Sequence, residues 1–160
     1  MTTFRPLTRK AKQISHTECL ELLDKERRGI LSVNGDNGFP YSMPMNHYYN
    51  PEDGCIYFHC GKGGHRADAL LQSDKVCFCV CEAGEKDAKD WALHVRSVVV
   101  FGTMESIEDE RQIVRITTAL SHKFTEDEAY IQNEIAHFAS QTRLLKLTPL
   151  HVCGKRVKES

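Results

Sequence analysis

Residues 30–66 read ILSVNGDNGFPYSMPMNHYYNPEDGCIYFHCGKGGHR, and this segment contains three β-prone runs separated by turn sequences. The runs are residues 30–33, 41–49 and 55–59. The first two are joined by Asn34-Gly35-Asp36-Asn37-Gly38, whose residues tolerate positive φ and are typical of hairpin turns. Strands joined by turns rather than by crossover helices predict an antiparallel arrangement.

The rest of the chain extends this pattern. Further strands are predicted at residues 76–81, 95–104 and 144–153, and a loop at 83–93. A first helix is predicted to begin at Ser15, because Ser15 to Glu18 forms a capping-box pattern, and to end at Gly29. Further helices are predicted at 65–72, from 106 onwards and at 125–140. We therefore expect a mainly β protein, a six-stranded antiparallel barrel with peripheral helices.

Two prolines bear on the placement of strands. Pro44 lies within the run 41–49, and a central, fully paired strand would not accept it. It indicates an edge strand, a bulge, or a place where a ligand replaces the neighbouring strand. Pro149 likewise suggests an edge for the last strand.

Length and charge limit the classes of function. The chain has 160 residues, which fits one domain over 1–160, with a basic N-terminal arm at 1–14 and a helical excursion at 106–140. The arm is interpreted as solvated, a transit peptide being the alternative. A net charge of −1 argues against a nucleic-acid partner. No apolar run approaches the ~18 residues of a membrane span, so we expect no membrane association.

Cysteine usage indicates the compartment. The seven cysteines are an odd number and no signal-peptide stretch precedes them, which predicts a reducing, cytoplasmic location. No C-x-x-C pair occurs, so no metal site is predicted. Cys77, Cys79 and Cys81 alternate with apolar residues, and we interpret them as small hydrophobic residues of a buried strand.

The densest functional signal is residues 59–68, where a strand end meets a helix start. Glycines allow a ligand to approach the backbone, and a helix N-terminus offers unpaired N–H groups. Lys62, His65 and Arg66 add cations that could neutralise a phosphate monoester of about −2. The pattern is neither a nucleoside-triphosphatase loop nor a dinucleotide fingerprint. A glycine-rich connection with solvated cations would explain it equally well.

Two strands supply weaker signals. Met43-Pro44-Met45 gives an adaptable apolar surface on which a flat aromatic ligand could lie, although core packing also explains the methionines. In the run 96–102, alternation would send Ser97 and Val99 to one face and Val98 and Val100 to the other. No G-x-S-x-G motif, singled-out Cys–His pair or carboxylate pair supports hydrolysis.

The order of these pieces resembles the FMN-binding split-barrel proteins, in the branch related to nitroimidazole-resistance proteins, a relative of pyridoxamine 5′-phosphate oxidase. The similarity spans nearly the whole chain and is most specific over residues 30–82. It is carried by 30–33, the Gly-Phe-Pro-Tyr turn at 38–41, Met43-Pro44-Met45, 56–59, Gly64-His65-Arg66 and 96–102.

The resemblance implies a six-stranded split barrel and a homodimer with FMN at the subunit interface. It implies that the isoalloxazine lies along Tyr41, Ser42, Met43, Pro44, Met45 and Asn46, and that the ribityl chain passes Phe58, His59, Cys60, Gly61 and Lys62. Lys62, His65 and Arg66 would hold the phosphate, and Gly64 is a further cofactor-binding residue. Ser97 and Val98 would approach the ring, either from the same subunit or from its partner. Many relatives have lysine where this chain has Arg66, which keeps the charge and permits a bidentate grip on phosphate.

Two functions remain open from the sequence. The first is an FMN-dependent oxidoreductase that passes electrons from a reduced nicotinamide to a small, nitroaromatic-like acceptor, with His59 as the candidate proton donor. The second is a flavin-binding or sensing module without turnover, since the chain leaves little room for a nicotinamide domain. A split barrel that holds haem or a deazaflavin is a further alternative.

Overall fold

The structure is a computed structural model, and it describes residues 3–86, 91–138 and 142–159. Over these residues it contains four α-helices and eight strands. The helices are α1 (His16–Lys25), α2 (His65–Gln72), α3 (Glu110–His122) and α4 (Glu128–Phe138). The strands are β1 (Arg28–Asn34), β2 (Pro40–Asn46), β3 (Tyr48–Asn50), β4 (Cys55–Gly61), β5 (Lys75–Cys81), β6 (Glu85–Lys86), β7 (Leu93–Ile107) and β8 (Thr142–Glu159).

The strands form one antiparallel sheet in the order β2-β1-β5-β7-β8-β4-β3, with β6 paired to β7. The first and last strands of this order, β2 and β3, are separated in sequence by His47 alone. The sheet must therefore curl until its two edges approach each other. The predicted antiparallel split barrel with peripheral helices is confirmed.

The number of strands differs from the predicted six. The run 41–49 is divided at His47, whose backbone N–H donates to the carbonyl of Arg27 at 3.3 Å. Its buried ring lies with Nε2 2.7 Å from the carbonyl oxygen of Leu23 in α1. The additional strand β6 falls in the predicted loop 83–93 and pairs with Leu93 and His94, while residues 87–90 of that loop lie outside the described residues.

Alternation along the strands separates the core from the outer surface. On β5 the side chains of Val76, Phe78 and Val80 are buried in the barrel core. The interpretation of the cysteines as buried residues of this strand was wrong in part, because Cys77 and Cys79 occupy the opposite face and are half-buried, and Cys81 is exposed. Strand β7 follows the predicted division, with Val98 and Val100 fully buried.

Helix α1 begins as predicted and ends earlier. The hydroxyl of Ser15 accepts the backbone N–H of Glu18, whose carboxylate accepts the backbone N–H of Ser15 in return. The helix ends at Lys25, so the assignment of Gly29 as its terminator was wrong. Gly29 lies in β1, where an added Cβ would stand 2.4 Å from Cζ of Phe78, so close packing explains the glycine.

The helical excursion also has shifted boundaries. Strand β7 continues to Ile107, past the predicted helix start at 106, and Asp109 caps α3 by accepting the N–H of Gln112 at 2.7 Å. The last predicted helix is α4, which begins at Glu128; residues 139 and 140 lie outside the described residues. The excursion leaves β7 and returns to β8, which are paired neighbours, with Ile107 opposite Leu144.

The two prolines have different surroundings. Pro44 lies in β2, an edge strand, as predicted. Strand β8 lies inside the sheet, between β7 and β4, so an edge position for the whole strand was wrong. The ladder with β4 ends at Leu147, however, and Pro149 pairs with Gly102 beside an irregularity in the register. Pro149 is therefore paired on one side only, which a proline tolerates.

The N-terminal arm is partly packed. Phe4 stacks on His151 and Phe101, with ring centroids 5.0 and 5.6 Å apart, and Ile14 is buried against the barrel. Arg5 and Arg9 remain exposed. In the described ranges, no helix is both long enough and apolar enough to span a membrane.

We predict that His47 makes stability fall on mild acidification. Burial, then the nearby charge of Lys123, lowers the pKa of His47 from 6.5 to about 4. Between these values the unfolded chain binds a proton that the folded protein does not, so stability is complete above pH 6.5 and is lost towards pH 4. From pH 7 to pH 5 the loss from this group is about 2 kcal/mol, at roughly 1.4 kcal/mol per pH unit.

Denaturant unfolding of His47→Gln measures this contribution, because glutamine can still donate to the Leu23 carbonyl but does not titrate. The variant should lose less stability than the wild type between pH 7 and pH 5. His16→Gln, at the exposed start of α1, is the matched control and should keep the wild-type slope. Equal slopes for His47→Gln and the wild type would contradict the prediction.

Candidate functional site

A cavity of about 710 Å³ opens between the strands β2 and β4, the start of α2 and the hairpin formed by α3 and α4. We refer to it as the β2–β4 cavity. Asn46, His59 and Cys60 line its strand side, Arg66 lines it from the start of α2, and the side formed by α3 and α4 is mainly apolar. A volume of this size falls in the range of small-molecule and cofactor sites.

The cavity lies where the sheet is not closed. Strand β2 pairs only with β1, and beyond Tyr57 the strand β4 pairs only with β8. The facing edges of β2 and β4 therefore carry backbone groups outside any described ladder. Such groups can read the edge of a flat ligand, a role that the sequence suggested for the interrupted strand around Pro44.

Arg66 lines this cavity, and the ion pairs of the described residues give its guanidinium no acidic partner. It lies in the first turn of α2, and its Nη1 donates to the thioether sulfur of Met45 at 3.4 Å. Its charge also influences the neighbouring thiol of Cys60. Because sulfur is a weak acceptor, the half-buried guanidinium keeps most of its capacity to bind an anion.

The glycine loop before α2 exposes the helix start. Gly64 occupies the N-cap position with φ of 99°, a conformation that favours glycine, and no side chain caps the helix. A Cβ on Gly63 or Gly64 would meet no atom within 4 Å, so open space surrounds this backbone. The first N–H groups of α2 consequently lie beside Arg66 without a side-chain cap.

His65 is held by the hairpin between β1 and β2. Its Nε2 lies 3.3 Å from Oδ2 of Asp36, and its ring stacks on Tyr41 with a centroid separation of 4.1 Å. Both partners are exposed, so the ion pair adds little stability. Together with the stack on Tyr41, this contact places the first turn of α2 beside the hairpin between β1 and β2.

Two titratable side chains of β4 line the cavity. Burial lowers the pKa of His59 below 6.5, which favours the neutral imidazole at neutral pH. Burial raises the pKa of the Cys60 thiol, and the charges of Arg66 and Arg143 oppose that rise. His59 is therefore better suited to accepting a proton than to donating one at pH 7.

The side of the cavity formed by α3 and α4, here called the helical wall, was not predicted from the sequence, although the apolar residues on one face of α3 indicate a surface that must be covered. Its apolar members are Ile113, Val114, Leu120, Phe124, Ile131 and Ile135, and its carboxylate is Glu134. The sequence shows that these residues share a helix face, but not that the face lies over the ends of β2 and β4. That position depends on how the segment between β7 and β8 packs against the sheet.

The wall is fastened at the end of α3. Lys123 Nζ donates to the carbonyl of Glu26 at 2.6 Å, and the Arg27 guanidinium lies 5.6 Å from the ring centre of Phe124. Burial lowers the pKa of Lys123 from 10.5 to about 8. These contacts join the helical hairpin to the segment between α1 and β1.

The structure brings six of the residues singled out in sequence around the cavity. They are Met45, Asn46, His59, Cys60, Gly61 and Arg66. Lys62 lies in the adjoining loop and has an interaction of its own. Arg28 donates to the side-chain oxygen of Asn46 at 3.0 Å, which leaves the amide NH₂ of Asn46 as a donor.

Other predicted residues lie elsewhere in this chain. Phe58 and Val98 are fully buried in the barrel core, and Met43 packs against that core. The hydroxyl of Ser42 lies 2.8 Å from that of Ser32, and Ser97 lies on the outer face of β7. Within the described residues, no group of three His, Cys, Asp or Glu side chains is placed to hold a metal ion.

The sequence profile of the pyridoxamine 5′-phosphate oxidase family matches residues 15–156. The chain belongs to this family. The match covers the barrel, the β2–β4 cavity and the helical hairpin together, in agreement with the resemblance found in the sequence. No curated protein sequence matches the chain significantly.

Solved structures with the same fold are distant in sequence. A putative 5-nitroimidazole antibiotic resistance protein from Bacteroides thetaiotaomicron superposes with a TM-score of 0.76 at 17% identity, covering 92% of this chain and 87% of that protein. A FAD-binding protein from Mesorhizobium loti gives 0.65 at 20% identity, with 91% and 97% covered. A FAD- and haem-binding protein from Mycobacterium smegmatis gives 0.68 at 20% identity, with 90% and 72% covered.

Proposed function

We propose that this protein is an FMN-binding oxidoreductase that reduces a small, nitroaromatic-like acceptor with electrons from a reduced nicotinamide. The observation that carries the proposal is the half-buried Arg66, which has no acidic partner among the described residues and stands beside the uncapped start of α2 at the mouth of a 710 Å³ cavity. The flavin-binding proteins of the same fold support it.

The residues present fit the phosphate of FMN. A phosphate monoester carries a charge of about −2 at neutral pH and offers three acceptor oxygens. Arg66 can bind two of these oxygens in a fork, and the N–H groups at the start of α2 complement the remaining charge. Lys62 and His65 remain among the residues proposed to bind the phosphate, and Asp36 and Tyr41 position His65.

The polar side of the cavity fits the rest of the cofactor. The edges of β2 and β4 leave backbone groups available between Met45 and His59, and the proposed isoalloxazine contacts extend along Tyr41 to Asn46. Val98 contributes to the core of its own subunit rather than to this cavity. Ser97, on the outer face, could reach the cofactor only in an assembly of two chains.

Bound flavin supplies the two-electron chemistry, and the chain supplies binding and exclusion of water. In the proposed overall reaction, a reduced nicotinamide and a proton convert a nitro group to a nitroso group and water, and the nicotinamide is oxidised. His59 is the titratable side chain at the cavity that could exchange a proton with the substrate. Its lowered pKa makes its neutral form the resting form at pH 7.

We further propose a homodimer formed through the outer face of the sheet. Cross-strand neighbours Ile30, Cys79, Val99 and Cys153 form one row across β1, β5, β7 and β8, and Cys77 and Phe101 lie opposite each other in the next. Ile30 and Phe101 are 44% and 39% exposed. A second copy of the chain would cover these apolar side chains, which are costly to leave in water.

A cytoplasmic location is part of the same proposal. All seven cysteines have free thiols, which suits a reducing compartment. The balanced net charge gives no attraction to nucleic acid, so the proposed ligands are small molecules.

We expect the purified protein to bind FMN, and Lys62→Ala combined with Arg66→Ala to weaken that binding by about 30-fold or more. Each lost charge-assisted contact contributes roughly 1–3 kcal/mol. Absorbance spectra and equilibrium titration of the flavin-free protein measure the effect. Lys75→Ala with Arg111→Ala, two exposed cations that do not line the cavity, should leave the affinity unchanged. A haem band instead of flavin absorbance, or wild-type affinity in the first variant, would reject the phosphate site.

The reaction is tested by steady-state oxidation of reduced nicotinamide in the presence of a nitroaromatic acceptor. The FMN-loaded protein should exceed free FMN at equal concentration, because the chain holds donor, flavin and acceptor in one cavity. Turnover no faster than free FMN, with flavin still bound, would favour the non-catalytic flavin-binding module.

The assembly is tested by light scattering after size exclusion. The wild type should be a dimer, and Phe101→Lys should shift it towards monomer, because a charge would be buried in an apolar interface. Leu71→Lys changes an apolar residue of α2 that is 84% exposed and does not belong to this face, and the variant should remain dimeric. A monomeric wild type would exclude the dimer; a dimeric Phe101→Lys variant would exclude this face.

A further inference from the structure

The charge distribution on the helical wall of the β2–β4 cavity is not explained by cofactor binding. Glu134 of α4 lines the cavity between Ile131 and Ile135, which are 1% and 8% exposed. Residues three and four positions apart share one face of a helix, so the carboxylate belongs to the same surface as the two isoleucines. A half-buried acid therefore stands in a wall that is otherwise mainly apolar.

Glu134 has no cationic partner among the ion pairs of the described residues. Its neighbour Glu128, one turn and a half earlier on α4, pairs with His122 at 3.2 Å. Arg66 lines the same cavity, yet the two do not approach within the 4 Å of an ion pair. The cavity thus carries a positive end at α2 and a negative side at α4.

A ligand entering the cavity would remove water from this carboxylate. Desolvating an ionised group is costly unless the ligand brings a compensating charge or hydrogen-bond donors. An anionic group placed beside Glu134 would be repelled as well. The wall therefore favours molecules whose charge near α4 is positive.

The remaining lining defines the body of that molecule. Ile113, Leu120 and Phe124 supply apolar contacts suited to a flat ring. Thr117 also lines the cavity, and its buried hydroxyl oxygen has no hydrogen-bond partner in the structure.

We propose that the β2–β4 cavity selects aromatic substrates that carry a protonated amine, and that Glu134 binds the ammonium group. The proposal rests on the proposed function, because the phosphate of FMN would occupy Arg66 and leave Glu134 as the charge that meets the substrate. It assigns substrate selection to the helical wall and cofactor binding to the strand side.

Three probes of nearly equal size separate charge from shape: 4-nitrobenzylamine, 4-nitrobenzyl alcohol and 4-nitrobenzoate. Their binding to the FMN-loaded, oxidised protein is measured by calorimetry at pH 7, without reductant, so that the readout does not depend on turnover. The amine should bind about 10-fold or more tightly than the alcohol, as expected for one charge-assisted hydrogen bond, and the benzoate most weakly.

Glu134→Gln should reduce binding of the amine to the level of the alcohol and change binding of the alcohol by less than about twofold. Glu126→Gln, at an exposed position that does not line the cavity, is the matched control and should behave as the wild type. Flavin content should be equal in all three proteins, since Glu134 is not assigned to the cofactor.

Equal affinity for the three probes, or a preference for the amine that persists in Glu134→Gln, would overturn the inference while leaving flavin binding intact. If the wild type binds no FMN, the proposed function fails instead. The same titrations on the flavin-free protein then decide whether the carboxylate binds amines: a preference that depends on Glu134 supports the site, and its absence rejects it.

Discussion

The architecture depends on one constraint of the chain: a single residue, His47, joins the two strands that form opposite edges of the sheet. No flat sheet can satisfy this connection, so the strands must curl. The ring of His47 is buried beside the Leu23 carbonyl, which ties the junction to α1. The closed barrel and the packed first helix therefore both depend on the position of His47.

This closure also explains the location of the cavity. The edges meet through β3 and β4 at one end, but β2 and the second half of β4 remain unpaired with each other. The opening receives the start of α2 on one side and the α3–α4 hairpin on the other. Polar backbone, one arginine and an apolar wall are therefore brought together from four regions of the sequence.

The sequence predicted the antiparallel barrel and the capped start of α1, and it named an edge strand as one explanation of Pro44, because these depend on local signals. Alternation, turn residues and a capping box are readable within a few neighbouring residues. It failed where distant packing decides: Gly29 is explained by the Phe78 ring rather than by a helix end. The outward face of Cys77 and Cys79 and the position of the helical wall likewise follow only from the curled sheet.

The helical hairpin leaves and re-enters the sheet at adjacent positions, since Ile107 at the end of β7 lies opposite Leu144 on β8. Its length and sequence can therefore change without altering the register of any strand, and the entropy of closing such a loop grows only slowly with its length. The hairpin can therefore vary as a unit while the paired strands that carry it keep their register. Ligand preference can accordingly diverge through changes in the hairpin side chains that face the cavity, without changes in the strand pairing of the barrel.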